Sequence, residues 1–218
     1  CILPNYTQVL QLNYIRSSLE VDEAHFADDN VSLIDCLDYT QYSVRIEGLK
    51  TAFKTLYSLL DKVAMLLNDY FSVRVSARTV NFHSIWSRSN VLKELLNKNI
   101  GLLSIYWITK DFDNESDSMT ANPDSKKLKI IRNYLEHRFT NVTLDFYNEE
   151  KNSTESRLFL TEEELRSSTL KLLHLTREVI FSLRNAIQIN EYQKKDLYGD
   201  SIVALPIFLR EFELEDKL

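Results

Sequence analysis

Glycine and proline are scarce in this chain, with three of each among 218 residues. A strand-and-turn architecture needs such residues at most of its reversals, because Gly supplies positive φ and Pro pre-sets φ near −65°. A chain with so few of either favours long helices. The apolar spacing agrees. Between residues 40 and 71, Ile46, Leu49, Phe53, Leu56, Leu60, Val63 and Leu67 step by three or four, which lines one face of a helix. Lys50, Lys54 and Lys62 fall elsewhere, and no Pro interrupts the run.

A second stripe, Leu165, Leu172, Leu175, Val179, Leu183 and Ile187, predicts a long helix over 161–192. Thr161 with Glu164 forms a capping-box pattern at its start. Shorter helices are predicted over 6–20, 83–97 and 100–109. Residues 72–82 alternate and are rich in β-branched types, so they are expected to be extended. Residues 110–122 are polar and acidic, as an exposed loop would be. Val142–Tyr147 and Arg157–Leu160 flank a polar stretch and predict a small β-hairpin inserted in an otherwise all-α domain. An apolar tail follows Gly199. No repeat and no linker divides the chain, so residues 1–218 are expected to form a single domain. It opens on Cys1 rather than Met, as a fragment of a longer protein would.

Charge and cysteine content remove several classes. A formal charge of −6 is wrong for a protein coated in basic surface, so any contact with nucleic acid must use a local patch. Two cysteines, Cys1 and Cys36, make no disulfide framework, which fits a reducing cytoplasm. No apolar run reaches the length of a membrane span. His25, His83 and His174 are scattered without a second ligand at metal spacing, and no Gly-rich phosphate loop exists, so no metal and no cofactor is expected. Trp86 and Trp107 read as core or interface aromatics. Asp61 and Lys54 share a face of the first long helix. They read most simply as a solvated or ion-paired face, with a place in a cleft as the alternative.

One stretch carries chemistry. Asn122, Pro123 and Asp124 mark a helix start that should run to about Phe139. On it lie Lys126, Lys127, Lys129, Arg132, Asn133, Glu136, His137 and Arg138. A guanidinium holds a phosphate, and an imidazole moves protons near neutral pH. At about 100° per residue, Leu128, Ile131, Leu135 and Phe139 cluster toward the core. Arg132 stands at one edge of the polar arc and His137 near the other, with Asn133 and Glu136 between. Five residues apart, Arg132 and His137 diverge by about 140°. One copy of the helix closes both on a single phosphate with difficulty, whereas two copies across a dimer axis bring them together. The plain reading is an Arg132–Glu136 surface ion pair and a histidine at a helix C-terminus.

At Arg132, Asn133 and His137 the sequence resembles the HEPN domains, whose signature is Arg, a polar residue, and then His a few positions on. The order long helix (40–71), motif helix (123–139), long helix (161–192) is similar to the HEPN helical core. So are the segments AFKTLYSLLDKVA, IRNYLEHRF and LLHLTREVIFSL, and the likeness spans about 40–195. The resemblance implies an all-α, up-and-down helical bundle acting as a metal-independent endoribonuclease in a homodimer. Carried over, Arg132 holds the scissile phosphate, His137 is the proton-transfer group, Asn133 supports either, and Lys126, Lys129 and Arg138 bind RNA. Cytoplasmic roles in phage defence, toxin–antitoxin pairs or stress response follow from the family, with an antitoxin or sensor as partner. Phe139 stands where some HEPN toxins carry a modifiable Tyr, so that route of control is put in doubt. The alternative is a non-catalytic helical module that dimerises or binds RNA or a nucleotide.

Overall fold

The computed structural model describes residues 26–29, 34, 39–112, 123–143 and 155–198. The expected helix over 6–20, the histidine at 25, both cysteines, the stretch 113–122 and the tail after Tyr198 lie outside the described residues. The described chain forms helices α1 (Val44–Tyr70), α2 (Ser84–Arg88), α3 (Asn90–Leu96), α4 (Ile100–Phe112), α5 (Pro123–His137) and α6 (Glu162–Tyr198). A 3-10 turn (Phe26–Asp28) precedes them, and strands β1 (Phe139–Thr143) and β2 (Arg157–Thr161) lie between α5 and α6. The fold is an all-α bundle with one small sheet, as the scarcity of turn residues requires.

Helix α1 starts where Ser43 accepts a hydrogen bond from the Ile46 amide at 3.2 Å, and the Asp28 carboxylate accepts from Val44 N. These contacts satisfy donors that the first helical turn leaves open. The apolar stripe of α1 is buried along its length, from Ile46 through Leu67. It packs against α6, whose Leu165, Leu172, Val179, Leu183 and Ala186 are buried in turn. Leu175 and Ile187 pack beside them, partly buried. The two helices are tied at one end by an Arg45–Glu162 ion pair at 2.7 Å. At the other end Tyr70 donates to Glu191 and accepts from Asn190.

Helix α4 lies against α6 at close range, and two residues make that possible. A Cβ at Gly101 would stand 2.4 Å from the Ala186 nitrogen, so only hydrogen fits there. Asn99, buried, accepts from Leu102 N and donates to the Ala186 carbonyl at 2.8 Å, capping α4 and pinning it to α6. At the start of α6, Thr161 and Glu164 form the predicted reciprocal cap. The Thr161 hydroxyl accepts from Glu164 N at 3.1 Å, and the Glu164 carboxylate accepts from Thr161 N at 3.0 Å.

Three expectations are corrected. Residues 72–82 form turns, not a strand. The Asn68 side chain clasps both the N–H and the C=O of Val75, which folds the segment back on the end of α1 and uses the groups a strand partner would need. The expected hairpin is a parallel pair, Phe139 opposite Arg157 through Thr143 opposite Thr161. Parallel pairing needs a crossover of about a dozen residues, and residues 144–156 are long enough to supply it. Finally, α5 ends at His137, so Phe139 leaves the helical phase. It opens β1 and is 68% exposed instead of facing the core.

Candidate functional site

The polar strip of α5 is anchored from beneath. Leu128 and Ile131 are buried, and Leu135 packs partly buried against the core, which sets the helix against α1, α4 and α6. Ile130, one position off that stripe, is exposed. Lys127 pairs with Glu164 of α6 at 3.0 Å, so the second lysine of the basic run is committed to the framework.

Arg132 projects from the edge of the strip over the ring of Tyr57, with its guanidinium carbon 5.5 Å from the ring centroid. The aromatic face attracts the cation and fixes its plane. Burial pushes the Tyr57 hydroxyl up to about 12; Arg132 draws it back, and Asp61 and Glu136 add to the rise. Its hydroxyl therefore stays protonated across the physiological range. Arg132 donates to Asn133 Oδ1 at 3.2 Å and pairs with Glu136 at 3.0 Å. Its Nε is buried with no hydrogen-bond partner among the described residues.

A cleft of about 390 Å³ opens beside it. Lys129, Arg132 and Asn133 of α5 form one wall. Tyr57 and Asp61 of α1 form the second, and Asn81, His83, Ser84 and Ser87, around the start of α2, the third. The third wall is rigid for local reasons. Asn81 Oδ1 accepts from the amides of His83 and Ser84, Ser84 Oγ accepts from Asn81 N, and Asp61 Oδ1 accepts from Phe82 N at 3.0 Å. Phe82 is buried beneath them.

The six residues singled out by sequence are not one cluster. Arg132, Asn133 and Lys129 share the cleft. His137 does not line it; its side chain is 66% exposed, and its Nε2 stands 3.7 Å from the Glu136 carboxylate that also holds Arg132. Lys126 is exposed away from the cleft lining. Arg138 lies over the Tyr134 ring and donates to the Glu155 carbonyl, bracing the entry to β2. Asp61 does face the cleft, which was the alternative reading for it. Tyr57 and His83 were missed. Tyr57 sits one turn before Asp61, so the wheel could have paired them; no periodicity places His83 opposite α5. Trp86 is buried and Trp107 is 61% exposed.

Residues 9–190 match the model of a family described as LA2681-like HEPN. The chain belongs to this HEPN family. No curated protein and no solved structure matches it. The match reaches further toward the N-terminus than the sequence likeness drawn over 40–195. Membership makes this a nucleotide-binding or RNase-type domain in general terms, of a kind that commonly dimerises and binds RNA. Arg132, Asn133 and His137 lie on the last two turns of α5, which packs against α1 and α6. Among the described residues no helix is long and apolar enough to cross a membrane.

Proposed function

We propose that this HEPN protein is a metal-independent endoribonuclease that cuts RNA at a site shared by two copies of the chain. The observation that carries this reading is the placement of Arg132. A cation braced on Tyr57 and beside Lys129 lines a cleft of about 390 Å³, a volume that suits a sugar–phosphate unit. A guanidinium in that position binds two phosphate oxygens and stabilises the charge that develops on them. The RNA 2′-oxygen attacks the phosphorus, the bond to the 5′-oxygen breaks, and the products are a 2′,3′-cyclic phosphate and a 5′-hydroxyl. His137, exposed and outside its own cleft, acts from one copy on RNA held by the other. Asn133 orients Arg132, and Lys126 and Arg138 extend the basic surface for the strand. The whole chain acts as one domain, in defence against phage, in a toxin–antitoxin pair or in a stress response.

A second reading has its own support. Glu136 already pairs with Arg132, and a carboxylate in that place opposes phosphate. A non-catalytic module that dimerises, or senses RNA or a nucleotide, fits that feature. One experiment separates the two: labelled single-stranded RNA incubated in EDTA with wild type, Arg132→Ala and His137→Ala. Cleavage by wild type, with rates at least about 100-fold lower in each variant at unchanged circular dichroism, supports the enzyme. Equal binding by all three with no cutting supports the module.

A further inference from the structure

Transesterification of RNA needs two proton transfers, one from the attacking 2′-hydroxyl and one to the departing 5′-oxygen. The signature supplies one histidine per chain, and in this structure that histidine stands outside the cleft its own Arg132 lines. The cleft itself contains a different imidazole. His83, half-buried, lines the same walls as Lys129 and Arg132.

The other cleft groups are poor proton carriers near neutral pH. Lys129 and Arg132 are cations. Ser84 Oγ is engaged, accepting from Asn81 N and donating to the Thr79 carbonyl at 2.8 Å. Asp61 accepts from the Phe82 amide, which commits one of its oxygens. Tyr57 holds its proton to about 12. An imidazole is the one side chain there whose ordinary range spans pH 5–8. Its backbone is also fixed. The His83 amide donates to Asn81 at 3.1 Å, and its ring stands edge-on to the buried Phe82 ring with centroids 6.1 Å apart.

We propose that His83 is a second catalytic residue, exchanging a proton with the RNA whose phosphate Arg132 and Lys129 hold in the same chain. This rests on the ribonuclease reading above. In the forward step the 2′-oxygen forms a bond to phosphorus and its proton passes to a ring nitrogen of His83. The P–O5′ bond breaks, and the 5′-oxygen takes a proton from the imidazolium of His137 on the second copy. Proton count and charge balance between the two rings, which exchange states when water restores the enzyme. The charged and titratable groups that line the cleft with His83 are Tyr57 and Asp61 of α1 and Lys129 and Arg132 of α5; Arg88, at the end of the helix that follows His83, donates to the Thr79 carbonyl at 3.3 Å.

The test measures single-turnover cleavage of a labelled RNA in EDTA from pH 5 to 9. Wild type, Arg132→Ala, His137→Ala, His83→Ala and His83→Gln are compared, with RNA binding by fluorescence anisotropy and melting temperature alongside. Wild type should show a bell-shaped profile. Both His83 variants should lose about 100-fold or more in rate and one limb of the bell, while binding RNA within about threefold of wild type. His137→Ala should lose the other limb. The Gln variant, close in size and polarity, decides the matter if Ala lowers the melting temperature. A wild type that cuts and an Arg132→Ala that does not, together with His83 variants of normal rate and profile, would overturn this assignment alone. So would His83 variants that lose rate only in step with lost binding. A wild type that cuts no RNA overturns the ribonuclease reading beneath it.

Discussion

The seam between α1 and α6 and the outer strip of α5 are built from the same local rules and reach opposite ends. Both begin from amphipathic helices. Along the seam almost every third or fourth residue is buried apolar surface, and both ends are tied by polar contacts between the two helices. In α5, among the described residues, Leu128 and Ile131 are the buried ones, and the outer positions are mostly charged or polar. The seam is fixed by burial, at roughly 1.5–3 kcal/mol for each large side chain. The strip is fixed by being carried on the seam, and Arg132 meets the seam at the Tyr57 ring. Under the ribonuclease reading Arg132 meets a phosphate and has to keep its charge, which full burial would oppose. Arg132, at 27% exposure, is a compromise between being held and being available.

Substitutions in the seam should therefore move stability and leave cleavage per folded molecule alone. Leu172→Ala removes a side chain with no exposed surface. It should cost about 3–5 kcal/mol in urea unfolding, with no change in RNA cleavage once the folded fraction is allowed for. An equal loss of cleavage per folded molecule would break the distinction. Tyr57 lies where the two regions meet, and its hydroxyl gives a pH signature. Its ionisation is raised in the folded state, so the folded form favours the neutral ring. The contribution is complete below pH about 10, the unfolded value, and is lost as pH rises toward about 12. The wild type should lose roughly 2–3 kcal/mol over that window relative to Tyr57→Phe. Parallel curves for the two proteins would mean that the ring is not buried beneath Arg132.

The same contrast explains what could be read before the structure. The seam was legible, because a stripe such as Ile46 to Leu67 is a local repeat and one period defines it. The caps at Thr161 and Glu164 were legible for the same reason. The polar residues of α5 are a local pattern, and their helical phase alone sets Arg132, which lines the cleft, apart from His137, which does not. What escaped depends on contacts between distant segments. The direction of β2 against β1 depends on the path of the chain through 144–156, which no pattern in either strand encodes. His83 lies in a turn whose shape comes from Asn81 and Asp61 side chains, and its place opposite Arg132 follows from the packing of α1 on α5. Phe139 was misplaced because helical phase was extended two residues past the last helical position.

Smaller effects sharpen the comparison. Thr161→Ala removes the hydroxyl that accepts from the Glu164 amide and loosens the carboxylate that reaches Lys127 on α5. It should cost about 1 kcal/mol, read as a lowered urea midpoint. Glu136 should matter least to the fold and still be felt in the site. Its carboxylate pairs with Arg132 in the i,i+4 relation on a half-exposed helix face, a contact worth a few tenths of a kcal/mol. It nevertheless stands where it competes with phosphate for the guanidinium and adds negative charge near His137. Glu136→Gln should leave the melting temperature unchanged and tighten RNA binding about threefold at low salt, the size of one charge removed about 6 Å from a phosphate in water. The gain should shrink between 0.1 and 0.5 M salt, because screening shortens with ionic strength. Weaker binding by the Gln variant would give the carboxylate the opposite role. Arg132 would then need Glu136 to hold it over the Tyr57 ring, and the strip would be as tightly specified as the seam.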